Sequence, residues 1–211
     1  MRNTSWLTLL VLAVALPATS SHAATIAFSN VQSTLVASAT GQDFPYSLSP
    51  GTPTGVVNVK LVAGEFSSIV AGGGGSDPHG LYVLQNAGMQ PVRIRFTFDQ
   101  PVGFLIQSNE TLTGLETNTF SYPSLGKPWS VMSSINATAT TSATTVSIVG
   151  QRNSPPYGDF QVQGASTAFD FEVTNASGFP YYGSAISVTV LGYATPIRSL
   201  SWSQAKRLLG K

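Results

Sequence analysis

The sequence predicts an all-β protein: an antiparallel two-sheet sandwich, jelly-roll-like, with a short C-terminal amphipathic helix. Three observations predict it. Apolar and polar residues alternate with period two through most of the chain, as in strands that bury one face. Clusters of Gly, Pro, Ser and Asn, such as "SPGTPTG", "AGGGGSDPHG" and "RNSPPYG", separate the alternating runs. No run before residue 198 carries helical spacing, and no fixed repeat period points to a solenoid, so about ten short strands argue for two packed sheets.

In chain order the predicted strands are "TIAFSNVQSTLVAS", "GVVNVKLVA", "GLYVLQN", "VRIRFTFD", "VGFLIQS", "WSVMSSI", "TTVSIVG", "GDFQVQ", "AFDFEVT" and "SAISVTVLGY". Two are the clearest. In "VRIRFTFD", Ile94, Phe96 and Phe98 face inward while Arg93, Arg95, Thr97 and Asp99 face out; in "AFDFEVT", Phe169, Phe171 and Val173 alternate with Asp170, Glu172 and Thr174.

The ends differ from this body. Met1 and Arg2 precede the apolar "WLTLLVLAVAL", followed by Pro17 and "ATSSHAA", the three-part pattern of a secretory signal peptide over residues 1–23. A bilayer span needs roughly 20 apolar residues, and no later run approaches that, so the mature chain is expected to have no transmembrane span. A β-sandwich domain over residues 24–195 and a tail over 196–211 follow. The domain carries five basic against nine acidic residues, a balance of −4, whereas the tail carries Arg198, Lys206, Arg207 and Lys211 and no acid. In "TPIRSLSWSQAKRLLGK" a helix near residues 200–209 would separate Trp202, Leu208 and Leu209 from Lys206 and Arg207, a surface for docking or sorting.

Only 9% of residues are charged, against roughly 25% in an average soluble domain. Strand faces covered by hydroxyls and amides suit an extracellular protein, and the absence of a basic stripe in the body argues against nucleic acid as a partner. Cysteine is absent, which excludes thiol catalysis, and His79 is the one histidine after the signal peptide. Asp170 and Glu172 share a strand face about 7 Å apart, a spacing that suits a glycosidase pair, while cross-strand pairing with Arg93 and Arg95 is the alternative. No catalytic residue is assigned. Calcium is the one cofactor the loops would suit, with Asp77 and Asp159 as oxygen ligands. Tyr122, Trp129, Tyr157, Tyr181 and Tyr182 lie on Pro/Gly-rich stretches, where flat rings are able to stack on sugars; the alternative is that they cap the ends of the sandwich. Asn109, Asn136 and Asn175 each begin an Asn-x-Ser/Thr triplet.

The segment "GLYVLQNAGMQPVRIRFTFDQPVGFLI" resembles one common in exported bacterial β-sandwich proteins, many of which carry PEP-CTERM sorting tails; here the tail itself, with its Pro-Glu-Pro and terminal apolar helix, is absent. The resemblance implies a secreted sandwich similar to a carbohydrate-binding module, and no particular substrate. The expected function is thus a non-catalytic role at the cell surface or in the matrix, structural or weakly carbohydrate-binding, in contact with a polysaccharide or a cell-surface component. The expected location is secreted or cell-surface, and periplasmic in a Gram-negative host that exports it no further. The alternatives are a secreted glycan-active hydrolase and a subunit of an extracellular fibre, the latter suggested by the Thr-rich "INATATTSATTVSIVG".

Overall fold

The computed structural model describes residues 23–48, 55–72, 79–85, 90–114, 116–124, 126–175 and 182–194. Within them run β1 (Ala24–Thr25), α1 (Ser33–Val36), β2 (Gln42–Tyr46), β3 (Gly55–Ala63), β4 (Ser68–Ala71), β5 (Leu81–Gln85), β6 (Val92–Leu112), β7 (Glu116–Ser121), β8 (Lys127–Ile135), β9 (Ala137–Thr141), β10 (Thr145–Gly150), β11 (Gly158–Asn175) and β12 (Tyr182–Tyr193). Every pairing is antiparallel. Among the described residues, no helix is long and apolar enough to cross a membrane.

Two long strands serve both layers of the sandwich. The first part of β6 pairs with β3 and with the last part of β11, and β11 continues to β7, β10 and β9. The later part of β6 pairs with β12 and with the first part of β11, which carries β8 on its other side. One layer is therefore β2-β3-β6-β11-β7-β10-β9 and the other β4-β5-β12-β6-β11-β8. The change of layer falls where Ser166 opposes Val102 and Ala168 opposes Thr97, so that residues 98–101 of β6 stand against Thr167 alone. Pro101 sits in that bulge, where a residue without an N–H costs no ladder bond.

Alternation places the core. Ile94, Phe96, Phe104, Ile106, Phe120, Phe169, Phe171 and Val173 are fully buried. Within one layer Phe96 stacks on its cross-strand partner Phe169 at 4.6 Å between centroids and Phe120 on Phe171 at 5.1 Å, and across the gap Phe169 lies 4.8 Å from Phe104. On the outer face the register sets Arg95 against Asp170 and Arg93 against Glu172. Each pair closes. The Arg95 guanidinium forks onto Asp170 at 2.7 and 3.0 Å, and Arg93 reaches Glu172 at 2.7 Å.

The run 25–38, predicted as one strand, divides. Residues 24–28 keep the alternation, with Ile26 and Phe28 buried, but residues 33–36 turn as α1. The turn buries Val36, exposes Leu35 and lets the Ser33 hydroxyl bond to the backbone of Ile69 on β4. Glycine is required at one neighbouring junction. Gly64, after β3, has φ +77, and a Cβ there would lie 1.8 Å from the Pro91 carbonyl oxygen. The tail helix expected near 200–209 lies outside the described residues, as does the signal peptide up to residue 22.

Candidate functional site

Of the five candidate sugar-stacking rings, two belong to the core. Tyr122, just past β7, and Trp129, on β8, stack on each other at 4.5 Å, and Trp129 also meets Phe104 at 5.7 Å and Phe120 at 6.0 Å. Their polar tips are used internally: Trp129 Nε1 donates to the Thr144 carbonyl at 3.1 Å, and the Tyr122 hydroxyl accepts the Ala165 N–H at 3.1 Å. Burial pushes the Tyr122 phenol up to about 12. Both rings are buried, at 8% and 5% exposure, with their polar tips engaged inside the protein. Tyr157 is half-buried in the loop between β10 and β11. Tyr181 lies outside the described residues, and Tyr182 opens β12 opposite Gln85.

The acids divide in the same way. Asp170 is 5% exposed and is bound by Arg95, whose own pKa is raised chiefly by that hydrogen bond. Asp170 and Glu172 thus form cross-strand ion pairs, the second of the two readings their spacing allowed. Asp159 is half-buried on β11 opposite Ile135, and Asp77 lies outside the described residues. Among the described residues, no three of His, Cys, Asp and Glu gather as a metal-binding group. Trp202, Lys206, Arg207, Leu208 and Leu209 also lie outside them.

The structure brings together a group that composition and spacing did not single out. At one end of the sandwich Gln85 closes β5, Glu116 opens β7 opposite Asn175 of β11, and β12 opens opposite Gln85. The inward phase of β7 is Glu116, Asn118, Phe120, so the strand that buries a phenylalanine also buries a carboxyl and an amide. Glu116 Oε2 accepts the Thr113 N–H at 2.7 Å, the Ser184 hydroxyl of β12 donates to Asn118 Oδ1 at 2.7 Å across the gap, and Gln85 Nε2 donates to the Gln90 carbonyl at 3.0 Å. Glu116 Oε1, Asn118 Nδ2, Gln85 Oε1 and the Thr113 hydroxyl are buried with no hydrogen-bond partner among the described residues.

Such atoms in a folded interior call for water or a proton to complete them. Burial raises the Glu116 carboxyl to about 7, against the opposing pull of Thr113. The neutral acid gains an O–H, which converts one of its two acceptors into a donor. Burial also raises the Tyr82 phenol on β5, with the Glu116 charge as a second cause. The signal in the sequence was the phase of "ETNTFS", in which Glu116 and Asn118 keep step with Phe120.

No protein family, curated protein or solved structure matches the chain.

Proposed function

We propose that the chain is an exported, non-catalytic protein that acts by contact at the cell surface or in the matrix, in a structural or weakly carbohydrate-binding role. The disposition of the acids carries this reading. Asp170 and Glu172, the two carboxylates that share a strand face, are each held by an arginine, and Glu116, whose protonation lies nearest neutrality, has no exposed surface. A hydrolase needs its acid and base within reach of the substrate. These acids serve the sheet.

The outer faces suit contact. Thr119 and Ser147 bond to each other at 3.2 Å across β7 and β10, within a surface of hydroxyls and few charges. The leader-like residues 1–23 support export. For sugar contact the remaining rings are Tyr157, Tyr181 and Tyr182.

Fractionating the producing cells, screening the secreted protein on a glycan array and assaying reducing-end release from polysaccharides test the reading together. The expected result is protein outside the cytoplasm, no reducing-end release, and any glycan binding lost when Tyr157, Tyr181 and Tyr182 are replaced by Ala. Hydrolysis that disappears with Asp170→Asn or Glu172→Gln would overturn it, as would retention in the cytoplasm.

A further inference from the structure

Among the described residues the layers end in β2 and β9 on one side of the sandwich and in β4 and β8 on the other, with the two-residue β1 beside β12. Exposed edges present open N–H and C=O groups, and native proteins blunt them with charges, prolines, bulges or a covering segment. Three of these four edges carry such devices. In β2, Pro45 removes a donor, Asp43 supplies a charge, and the Gln42 side chain binds residues 30–32 alongside by accepting the Gln32 N–H at 2.8 Å and donating to the Asn30 carbonyl at 2.7 Å. In β4, the Ser33 hydroxyl of α1 takes both backbone groups of Ile69, at 2.9 and 3.2 Å. β8 opens with Lys127 and Pro128 and slips register against β11 at two points.

β9 is blunted least: the Ser134 hydroxyl donates to its Ala137 carbonyl at 2.8 Å, and among the described residues it carries no charge, no proline, no bulge and no covering segment. It runs Ala-Thr-Ala-Thr-Thr, matched residue for residue to β10 with no bulge. It lies within residues 128–150, a stretch of 23 that holds no Asp, Glu, Lys, Arg or His. Its length equals that of β2, so shortness is not what separates the two. Beside it on the same flank stand Met132 and Ile135 of β8, at 58% and 57% the most exposed large apolar side chains among the described residues, and Val149 of β10, opposite Thr138.

We propose that β9 pairs edge to edge with the β9 of a second copy of this chain, antiparallel about a twofold axis, which deepens the structural reading above and rests on it. The occupant follows from the charge. An antiparallel edge meets itself with each N–H opposite a C=O, and small uncharged Ala and Thr side chains set no like charges against each other. The same neutrality leaves nothing with which to select a charged foreign strand. A five-residue edge is about 17 Å long and alone makes a small contact, so the exposed apolar side chains of β8 and β10 extend the seam, and the pairing is weak and concentration-dependent.

Sedimentation equilibrium on the purified protein tests this over about 1 μM to 1 mM, a range that spans weak pairing. The mass is expected to rise toward twice that of one chain, and to stay at one chain in Thr138→Lys/Thr140→Lys, where a twofold pair would set lysine against lysine while the thermal midpoint holds. The chain has no cysteine, so a single introduced thiol is a clean reporter that does not depend on the lysine variant folding. A short bis-maleimide crosslinker, which adds one thiol at each end, is expected to yield dimer from Thr140→Cys and none from Leu35→Cys, an exposed position on α1. A single-chain mass throughout the range, equal crosslinking at both positions, or undiminished association of a folded lysine variant overturns the proposal. A protein that is single-chain yet non-hydrolytic and at the cell surface sinks the pairing and leaves the functional reading standing; hydrolysis sinks that reading whatever the mass.

Discussion

In the middle of the sandwich, the space between the layers is filled by rings; at the end where β5 stops and β7 begins, it is filled by a carboxyl, two amides and two hydroxyls. Both regions are equally buried, and both follow from period-two phase. They differ in what completes them. A ring's contacts with other rings satisfy it entirely, whereas a buried polar atom needs a directed partner, and four at this end have none among the described residues. The middle therefore holds the layers together with little dependence on pH. The end is where pH enters.

The largest expected effect comes from breaking the middle. Phe169 touches Phe96, Phe98, Phe104, Phe120 and Trp129, so Phe169→Ala should lower the unfolding free energy by about 3–5 kcal/mol, measured by urea denaturation, with the loss similar at pH 5 and pH 8. A loss below 1 kcal/mol would mean that the rings are not what joins the layers.

Next comes the strut of the polar end. Ser184→Ala removes the donor to a buried Asn118 oxygen and should cost about 1–3 kcal/mol, again by denaturation. Ser184→Thr, which keeps a hydroxyl, should recover part of that cost if the hydrogen bond is the cause.

The smallest effect belongs to the outer face, which serves as the reference for both regions. Arg93→Ala deletes an ion pair whose members are 47% and 28% exposed, and should change stability by less than about 1 kcal/mol, less still at high salt.

Much of the middle was legible in the sequence, because alternating Phe, Ile and Val against Arg, Asp and Thr leaves one way to face. Less was legible where local chemistry and placement disagree. Residues 99–101, Asp-Gln-Pro, look like a turn between two strands and are instead a bulge within β6, since strand pairing with β11 continues on both sides. "YPSLGKPW" has the composition of a loop, and composition does not show that Tyr122 and Trp129 fold back to stack beneath it. "ETNTFS" reads as polar, and its composition masks the inward phase that Glu116 and Asn118 share with Phe120. β9 was legible as a Thr-rich segment, but its place as the least blunted edge among the described strands depends on the order of strands.

The contrast between the two regions is tested most directly by the unfolding free energy of the wild type minus that of Glu116→Gln, measured from pH 4 to pH 8. The folded-state value of about 7 lies above the ordinary 4.5, so the folded protein keeps its proton through the interval between them. The stability that the protonated Glu116 contributes is full below about 4.5, declines as pH rises through the interval and is gone above about 7. Gln, with the shape and hydrogen bonds of the neutral acid, has no such decline. The account predicts a difference near zero at low pH that grows to about 3 kcal/mol against the wild type by pH 8. Parallel profiles across the range would contradict it, and would mean that the polar end holds a carboxylate as comfortably as it holds the acid.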